Sequence, residues 1–218
     1  MIIHYNPTVK ITSIKIIGYN KALYPHDFKF QLETDPMAVP VDIMDPDDFY
    51  ATDIAEFRNT AFIICIFKNL NERKEISAYM KQHNLNKCSF VHDTSFVNLN
   101  EATILPGSFV MQFCIILYHA TIGEDCLITP YTLISHNATL GNGVNVCPSS
   151  IINGSVTIGD YSYIGSKTTF KDGVSIIANT YIGMSSTVSK DIELSGTYVG
   201  SPCRKVSDET VFDHFNFS

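Results

Sequence analysis

Apolar residues recur at every sixth position of the chain from Ile104 to Val188. The series has fifteen positions and no gap, and its members are Ile104, Val110, Ile116, Ile122, Ile128, Ile134, Leu140, Val146, Ile152, Ile158, Ile164, Phe170, Ile176, Ile182 and Val188. In a chain that is 45% hydrophobic, fifteen independent matches are expected by chance only about once in 10^5 registers. The pattern is a hexapeptide repeat, which predicts a parallel β-helix.

Small or β-branched residues form a second column, two positions before each apolar residue. They are Ala102, Ser108, Cys114, Ala120, Cys126, Thr132, Ala138, Val144, Ser150, Val156, Ser162, Thr168, Val174, Thr180 and Ser186. Three hexads close one triangular coil, and successive coils stack about 4.8 Å apart. We expect both columns to point inward. Glycine follows the apolar residue at Gly123, Gly141, Gly159, Gly165 and Gly183, where we expect it to permit the corner bend.

A β-sandwich is the alternative fold, but its strands alternate with period two and vary in length. Residues 1–92 lack the hexad and predict a small α/β domain. Its predicted βαβ unit has the apolar strand Thr60–Phe67, a helix over Asn69–His83 with Asn71 as N-cap, and the strand Lys87–Val91. Further predictions are a strand at Ser13–Gly18, turns at Pro36–Asp48 and a short helix at Asp48–Glu56.

Composition excludes several classes of protein. The chain has 218 residues and a net charge of −7, and no run of Lys or Arg predicts nucleic-acid binding. No apolar stretch reaches the length of a membrane span, and the N-terminus MIIHYNPTVKI lacks the features of a signal peptide, so a cytoplasmic protein without membrane association is expected. Cys114 and Cys126 occupy inward positions, which favours core thiols over disulfides. No CxxC pair indicates a metal site, and no metal is expected.

The prism is too narrow for an internal cavity, so any site must lie on its outer surface. His136, in the segment ISHNATLG, stands at the start of a corner. Stacking by eighteen residues places Tyr118 below it and Gly154 above it, with Asp172 beyond and His119 beside Tyr118. A solvated surface histidine is the alternative interpretation. We expect a bare backbone N–H at Gly154 beside His136, which would supply the base and oxyanion donor that acyl transfer needs.

These motifs resemble the left-handed β-helix acyltransferases of the sialic-acid O-acetyltransferase and bacillosamine-type nucleotide-sugar N-acetyltransferase group. The resemblance covers residues from about 60 to 206. It rests on the hexads and on the segments FVHDTSFV, SHNATLG, SSIINGSVTIG and GSPCRKV. It implies an α/β domain at 1–92 that binds the nucleotide sugar, a left-handed β-helix of about five coils at 93–200, and a tail at 201–218. It also implies a homotrimer with acetyl-CoA in the groove between adjacent prisms.

Carried over by motif, His136 resembles the general base, and Gly154 resembles the residue whose N–H binds the thioester carbonyl. Ser166, Gly183 and Met184 resemble positions along the pantetheine arm, and Pro202 lies in the terminal motif near the CoA nucleotide. We expect Tyr118 and His119 to contact the sugar substrate. The family usually places Asp or Glu after the catalytic histidine, whereas this chain has Asn137, which can only orient the ring.

The resulting hypothesis is an acetyl-CoA-dependent N-acetyltransferase for a nucleotide-linked amino sugar. A neutral amine is already nucleophilic, so the missing acid after His136 favours N- over O-acetylation. The alternatives are a sugar O-acetyltransferase of the sialic-acid type and a non-catalytic β-helix binding protein. The front segment IIGYNKAL has only Gly18, so a phosphate-cradling loop for NAD or FAD is not predicted. Phe212, Phe215 and Phe217 of the tail are expected to pack on the body or on a neighbouring subunit.

Overall fold

The structure is a computed structural model that describes residues 2–4, 10–18, 29, 39–66, 69–98 and 100–214. An N-terminal α/β part leads into a left-handed parallel β-helix, as the hexads and the resemblance together predicted. Three sheets of short parallel strands form the faces of a triangular prism. Two faces contain six strands and the third contains five, which agrees with the prediction of about five coils.

We name each face by its outward side chains or its neighbours. The joined face, which continues into the N-terminal sheet, consists of Phe109–Val110, Leu127–Ile128, Asn145–Val146, Tyr163–Ile164, Thr180–Ile182 and Gly196–Val199. The apolar face consists of Phe96–Val97, Ile115–Ile116, Leu133–Ile134, Ile151–Ile152, Thr169–Phe170 and Thr187–Val188. The hydroxyl face consists of Thr103–Ile104, Thr121–Ile122, Thr139–Leu140, Thr157–Ile158 and Ser175–Ile176.

The interior of the prism is filled as the two sequence columns predicted. All fifteen apolar repeat residues are buried, and even Ile104 at the N-terminal end is only 5% exposed. All fifteen small residues are buried as well. Several of their hydroxyl and thiol members donate to the backbone of the neighbouring coil, as Ser108 Oγ does to the Gly123 carbonyl at 2.7 Å. The hydroxyls of Thr132 and Thr180 donate instead within their own coil, each to the carbonyl three residues earlier. The columns therefore supply both the apolar core and bonds between coils.

The corners are built differently from the expectation about glycine. The backbone turns at the residue three after each inward apolar position, where non-glycine residues such as Phe113, His119 and Asn137 take a φ near +56°. Gly123 is needed for a different reason, because a Cβ there would lie 2.5 Å from the Gly141 carbonyl carbon of the next coil. These glycines allow close stacking of coils rather than the bend itself.

The strands and helices of the N-terminal part are β1 at Ile2–His4, β2 at Ser13–Ile17, β3 at Val41–Met44, α1 at Pro46–Ala51, a 3₁₀ turn at Ile54–Phe57, β4 at Thr60–Ile64, α2 at Leu70–Gln82 and β5 at Asn86–Val91. Four of the strands form a parallel sheet in the order β3-β2-β4-β5, and β1 pairs antiparallel with β5. The βαβ unit is confirmed. Phe90 of β5 pairs with Phe109, so this sheet continues into one face of the prism.

Three local predictions in this part were wrong. Val41–Met44 is a strand rather than turns, because Val41 pairs with Ile14 and is buried in the sheet. Helix α1 starts at Pro46 rather than Asp48, since proline is well suited to a first helical position. The N-cap of α2 is Asn69 rather than Asn71, and its side chain accepts the Glu72 N–H at 3.1 Å. Phe67 lies outside the described residues.

A buried polar network fastens α2 to the corner between the hydroxyl and joined faces. Arg73 donates to the Asn145 side chain at 2.6 Å and to the Gly143 carbonyl. Lys87 forms an ion pair with Asp125 at 2.7 Å, and Ser77 donates to the same carboxylate. Burial lowers the pKa of Arg73 against the attraction of Asp125. The network buries charged groups between α2 and the prism, where a charge is tolerated only when it has a partner.

The C-terminal segment folds back along the prism. Gly196–Val199 pairs antiparallel with Arg204–Ser207, and the short helix α3 at Val211–His214 contacts α2. The Phe212 side chain, Phe215 and Phe217 lie outside what the structure describes, so their packing stays a prediction. Within the described ranges, no helix is long and apolar enough to cross a membrane.

Candidate active site

His136 lies on the corner between the apolar and hydroxyl faces, which we call the histidine corner. Its side chain follows the strand Leu133–Ile134 and is half-buried. The imidazole lies directly over Gly154 of the next coil. A Cβ on Gly154 would be 2.5 Å from His136 Cε1 and 2.7 Å from Nε2, so only glycine admits the ring in this position.

Aromatic side chains support the imidazole from the other side. The Tyr118 ring stacks on the His136 ring with centroids 5.4 Å apart and an interplanar angle of 11°. His119 meets Tyr118 edge to face, also at 5.4 Å. Tyr118 and His119 are exposed, and their contact with the sugar substrate stays a prediction. The stacking by eighteen residues thus brings three rings together along one edge.

Asn137 contacts the imidazole from the following position. Its φ of +56° turns the chain, and its Nδ2 lies 3.3 Å from His136 Nδ1. An amide in this place can hold the ring and select its tautomer, but it carries no charge that would stabilise an imidazolium. The orienting role of Asn137 stays a prediction, and this contact is the one through which it would act.

The expectation of a bare N–H at Gly154 is wrong. The Gly154 N–H donates to Asp172 Oδ1 at 2.8 Å, from one coil further along the prism. The repeat register places Asp172 two coils from His136 and one coil from Gly154. The carboxylate bends back over the corner and reaches the Gly154 N–H, which the register alone does not predict. A thioester carbonyl can accept this N–H only after the carboxylate moves.

The predicted CoA-binding residues lie elsewhere on the same chain. Ser166, Gly183 and Met184 follow the joined face at the opposite edge of the apolar face, which we call the serine corner. Ser166 is half-buried, Gly183 is buried and Met184 is 76% exposed. One chain does not bring these residues to His136, although both corners border the apolar face.

Pro202 lies at the C-terminal end of the prism, after a cis peptide bond with Ser201. It lines a cavity of about 460 Å³ whose charged lining residues are the basic Lys190, Arg204 and Lys205 and the acidic Asp191. These three basic side chains are exposed, and Lys205 forms an ion pair with Asp208 at 2.7 Å. Sequence reasoning missed this basic cavity, although the spacing of Lys190 and Arg204 around the predicted end of the coils was a usable signal. No group of three or more His, Cys, Asp or Glu side chains among the described residues is arranged to hold a metal ion.

No protein-family model and no curated protein matches the sequence. Solved structures match the fold. A variant of perosamine N-acetyltransferase from Caulobacter crescentus with one histidine replaced by asparagine, solved with CoA and GDP-perosamine, is 19% identical with a TM-score of 0.78. The match covers 90% of this chain and 98% of that chain.

Two further structures are similar over nearly their whole lengths. The acetyltransferase domain of PglB from Neisseria gonorrhoeae, in complex with acetyl coenzyme A, is 16% identical, with a TM-score of 0.77 and coverage of 90% of this chain and 100% of that one. WeeI from Acinetobacter baumannii is 21% identical, with a TM-score of 0.67 and coverage of 89% and 100%. These matches extend beyond the β-helix, so the combination of the α/β part with the prism is shared.

Proposed function

We propose that this protein transfers an acetyl group from acetyl-CoA to the amino group of a nucleotide-linked sugar. The fold it shares with the sugar acetyltransferases supports this assignment, and two of those structures contain CoA or acetyl-CoA. The observation that carries the proposal is the His136 ring, held on Gly154 by Tyr118 and Asn137 on an outer edge. A surface histidine without a function needs no such support.

His136 acts as the general base in this proposal. As the amine nitrogen attacks the acetyl carbonyl, the imidazole takes a proton from that nitrogen and the carbonyl becomes an oxyanion. When the tetrahedral intermediate collapses, the C–S bond breaks, the C–N bond remains, and the imidazolium returns the proton to the CoA thiolate. A positioned base of this kind contributes about 10²–10⁴ in rate.

The oxyanion receives a hydrogen bond from the Gly154 N–H once Asp172 has left it. Removing one such donor typically costs about 10²–10³ in rate. Asn137 holds the imidazole, while Tyr118 and His119 form an aromatic edge against which a sugar ring packs. These assignments stay proposals for this chain.

Acetyl-CoA lies between two subunits of a homotrimer in this proposal. The histidine corner of one prism faces the serine corner of its neighbour, so that Ser166, Gly183 and Met184 line the pantetheine arm. The basic cavity beside Pro202 suits the anionic nucleotide end of CoA. The exposed side chains Phe96, Ile115 and Ile151 on the intervening apolar face support contact between prisms.

The test measures CoA release from acetyl-CoA with panels of nucleotide-linked amino sugars and of sugars that offer only hydroxyl groups. We expect turnover with an amino sugar and a loss of about 10²-fold or more in His136→Ala. Ser135→Ala serves as the matched control, because it changes a residue on the same corner and leaves the imidazole in place. Near-wild-type turnover in His136→Ala contradicts the base assignment, and turnover only with hydroxyl acceptors supports the O-acetyltransferase alternative instead. A wild-type protein that binds no CoA in calorimetry supports a non-catalytic β-helix.

A further inference from the structure

The carboxylate of Asp172 occupies the hydrogen-bond donor that the proposed reaction needs. Its Oδ1 accepts the Gly154 N–H at 2.8 Å, and Gly154 lies under the His136 ring. Asp172 is exposed, and its second carboxylate oxygen has no hydrogen-bond or ion-pair partner among the described residues. One carboxylate oxygen therefore occupies the Gly154 N–H, while the other is left without a partner among the described residues.

The same type of bond occurs at another corner, where it is purely structural. Asp160 Oδ1 accepts the Asn142 N–H at 2.8 Å, and Asn142 Oδ1 accepts the Glu124 N–H at 2.9 Å. Each bond joins residues eighteen positions apart and ties one coil to the next. What distinguishes Asp172 is the position of its partner beside an imidazole, not the bond itself.

A thioester carbonyl cannot displace this carboxylate unaided. Hydrogen bonds to an ionised acceptor are about twice as strong as those between neutral groups. A neutral carbonyl therefore competes poorly for the Gly154 N–H while Asp172 remains there. A cation that binds the carboxylate would remove this competition.

We infer that Asp172 is a gate that the cationic amino group of the acceptor opens. This inference rests on the proposed function, whose acceptor is an amine, and an amine is largely an ammonium in neutral water. The ammonium binds the Asp172 carboxylate, the carboxylate leaves Gly154, and the freed N–H binds the thioester carbonyl. The ammonium then releases one proton to bulk water and attacks as the neutral amine. His136 takes the second proton from the attacking nitrogen and returns it to the CoA thiolate, while Asp172 stays ionised throughout.

The gate couples the two substrates. Without an acceptor, the oxyanion donor is blocked and water cannot use it to hydrolyse acetyl-CoA. With an amine acceptor, the site is completed at the moment when the nucleophile is present. A hydroxyl acceptor carries no cation, so the gate also discriminates between amines and alcohols.

The test compares the affinities of acetyl-CoA and CoA, without an acceptor, by calorimetry on the full chain. In Asp172→Ala the N–H is free, and we expect the ratio of acetyl-CoA to CoA affinity to rise about 10-fold, the worth of one hydrogen bond. Hydrolysis of acetyl-CoA without an acceptor should rise as well. Asp160→Ala removes the equivalent bond at the other corner and should leave the ratio unchanged.

Asp172→Asn separates the charge from the bond. Its amide oxygen can still accept the Gly154 N–H, so the affinity ratio should stay nearer to that of the wild type. The acceptor KM should rise about 10-fold because the ammonium has lost its anionic partner.

An unchanged ratio in Asp172→Ala, or the same change in Asp160→Ala, overturns the gate and leaves a structural cap. A wild-type acceptor KM in Asp172→Asn overturns it too. A wild-type protein that binds neither form of CoA refutes the proposed function itself, and the gate with it.

Discussion

The guanidinium of Arg73 on α2 donates a 2.6 Å hydrogen bond to the side-chain oxygen of Asn145 in the β-helix. Arg73 also donates to the Gly143 carbonyl, and both of its partners belong to the prism. The side chain is fully buried. The N-terminal part is therefore fastened to the prism by a polar side chain as well as by the continuous sheet.

Arg73→Ala should destabilise the protein by about 3 kcal/mol, because it leaves the Asn145 side-chain oxygen and the Gly143 carbonyl without their buried donor. Urea unfolding measures this loss. Lys74→Ala on the same helix removes an exposed charge that lies 5.2 Å from the Tyr161 ring centroid, and it should cost less than about 1 kcal/mol. Combining Arg73→Met with Asn145→Leu should recover part of the loss, since both polar partners are then removed together. Equal losses for Arg73→Ala and Lys74→Ala would contradict this role.

The buried cysteines predict a fall in stability at alkaline pH. Burial raises the pKa of Cys88 and Cys126 to about 12 and that of Cys114 to about 11. An exposed thiol in the unfolded chain titrates near pH 8.5. Above that pH the unfolded state loses protons that the folded state keeps, so the free energy of unfolding falls as pH rises by about 1.4 kcal/mol per pH unit for each thiol.

Urea unfolding under reducing conditions at several pH values between 8.5 and 11 measures this slope. Cys88→Ala should reduce the slope by about 1.4 kcal/mol per pH unit, whatever it does to the absolute stability. Cys203→Ala should reduce it less, because the Cys203 thiol is only half-buried. A slope that is the same in Cys88→Ala and the wild type would show that the Cys88 thiol is not protected.

The regular part of the fold was readable from sequence because one six-residue period determines which side chains point inward. Every member of both columns, from Ala102 to Val188, is buried. The same register placed Tyr118, His136 and Gly154 on one edge. Such stacking follows from geometry alone, so no knowledge of distant contacts was needed.

The remaining features depend on contacts that no local pattern encodes. The pairing of Phe90 with Phe109 joins the two sheets, and nothing in either segment specifies the other. Val41–Met44 became a strand through its pairing with β2, against a local composition that favours turns. The repeat register correctly placed the Gly154 N–H beside His136. Its hydrogen bond to Asp172 depends on a side-chain rotamer, which no register encodes, and the expectation of a bare N–H was therefore wrong.

Asn137→Asp should raise the rate of acetyl transfer. A carboxylate at this position would accept a hydrogen bond from His136 Nδ1 and stabilise the imidazolium that forms during the reaction. In a serine-protease triad the reverse change lowers kcat by about 10⁴, because the amide favours the wrong tautomer. On an exposed corner we expect a smaller effect, about 10-fold or more in kcat. Steady-state kinetics check this. The kcat of Asn137→Ala, the control, should fall below that of the wild type. A kcat of Asn137→Asp at or below the wild-type value would show that the amide does not limit the reaction.

The apolar face predicts a trimer whose assembly is required for CoA binding. Ile115 points outward from this face and is 43% exposed in the single chain. Ile115→Glu would place an unpaired carboxylate in the interface, at a cost of several kcal/mol per contact. Light scattering should then show a mass near the 24.3 kDa of one chain instead of three times that value, and CoA affinity should fall at least about 10-fold because the serine corner of the neighbour is lost.

Thr139→Glu introduces the same charge at an outward position of the hydroxyl face, where the side chain is exposed, and should change neither mass nor affinity. A trimer that survives Ile115→Glu would exclude the apolar face as the interface, and a monomer that still binds CoA fully would place the CoA site within one chain.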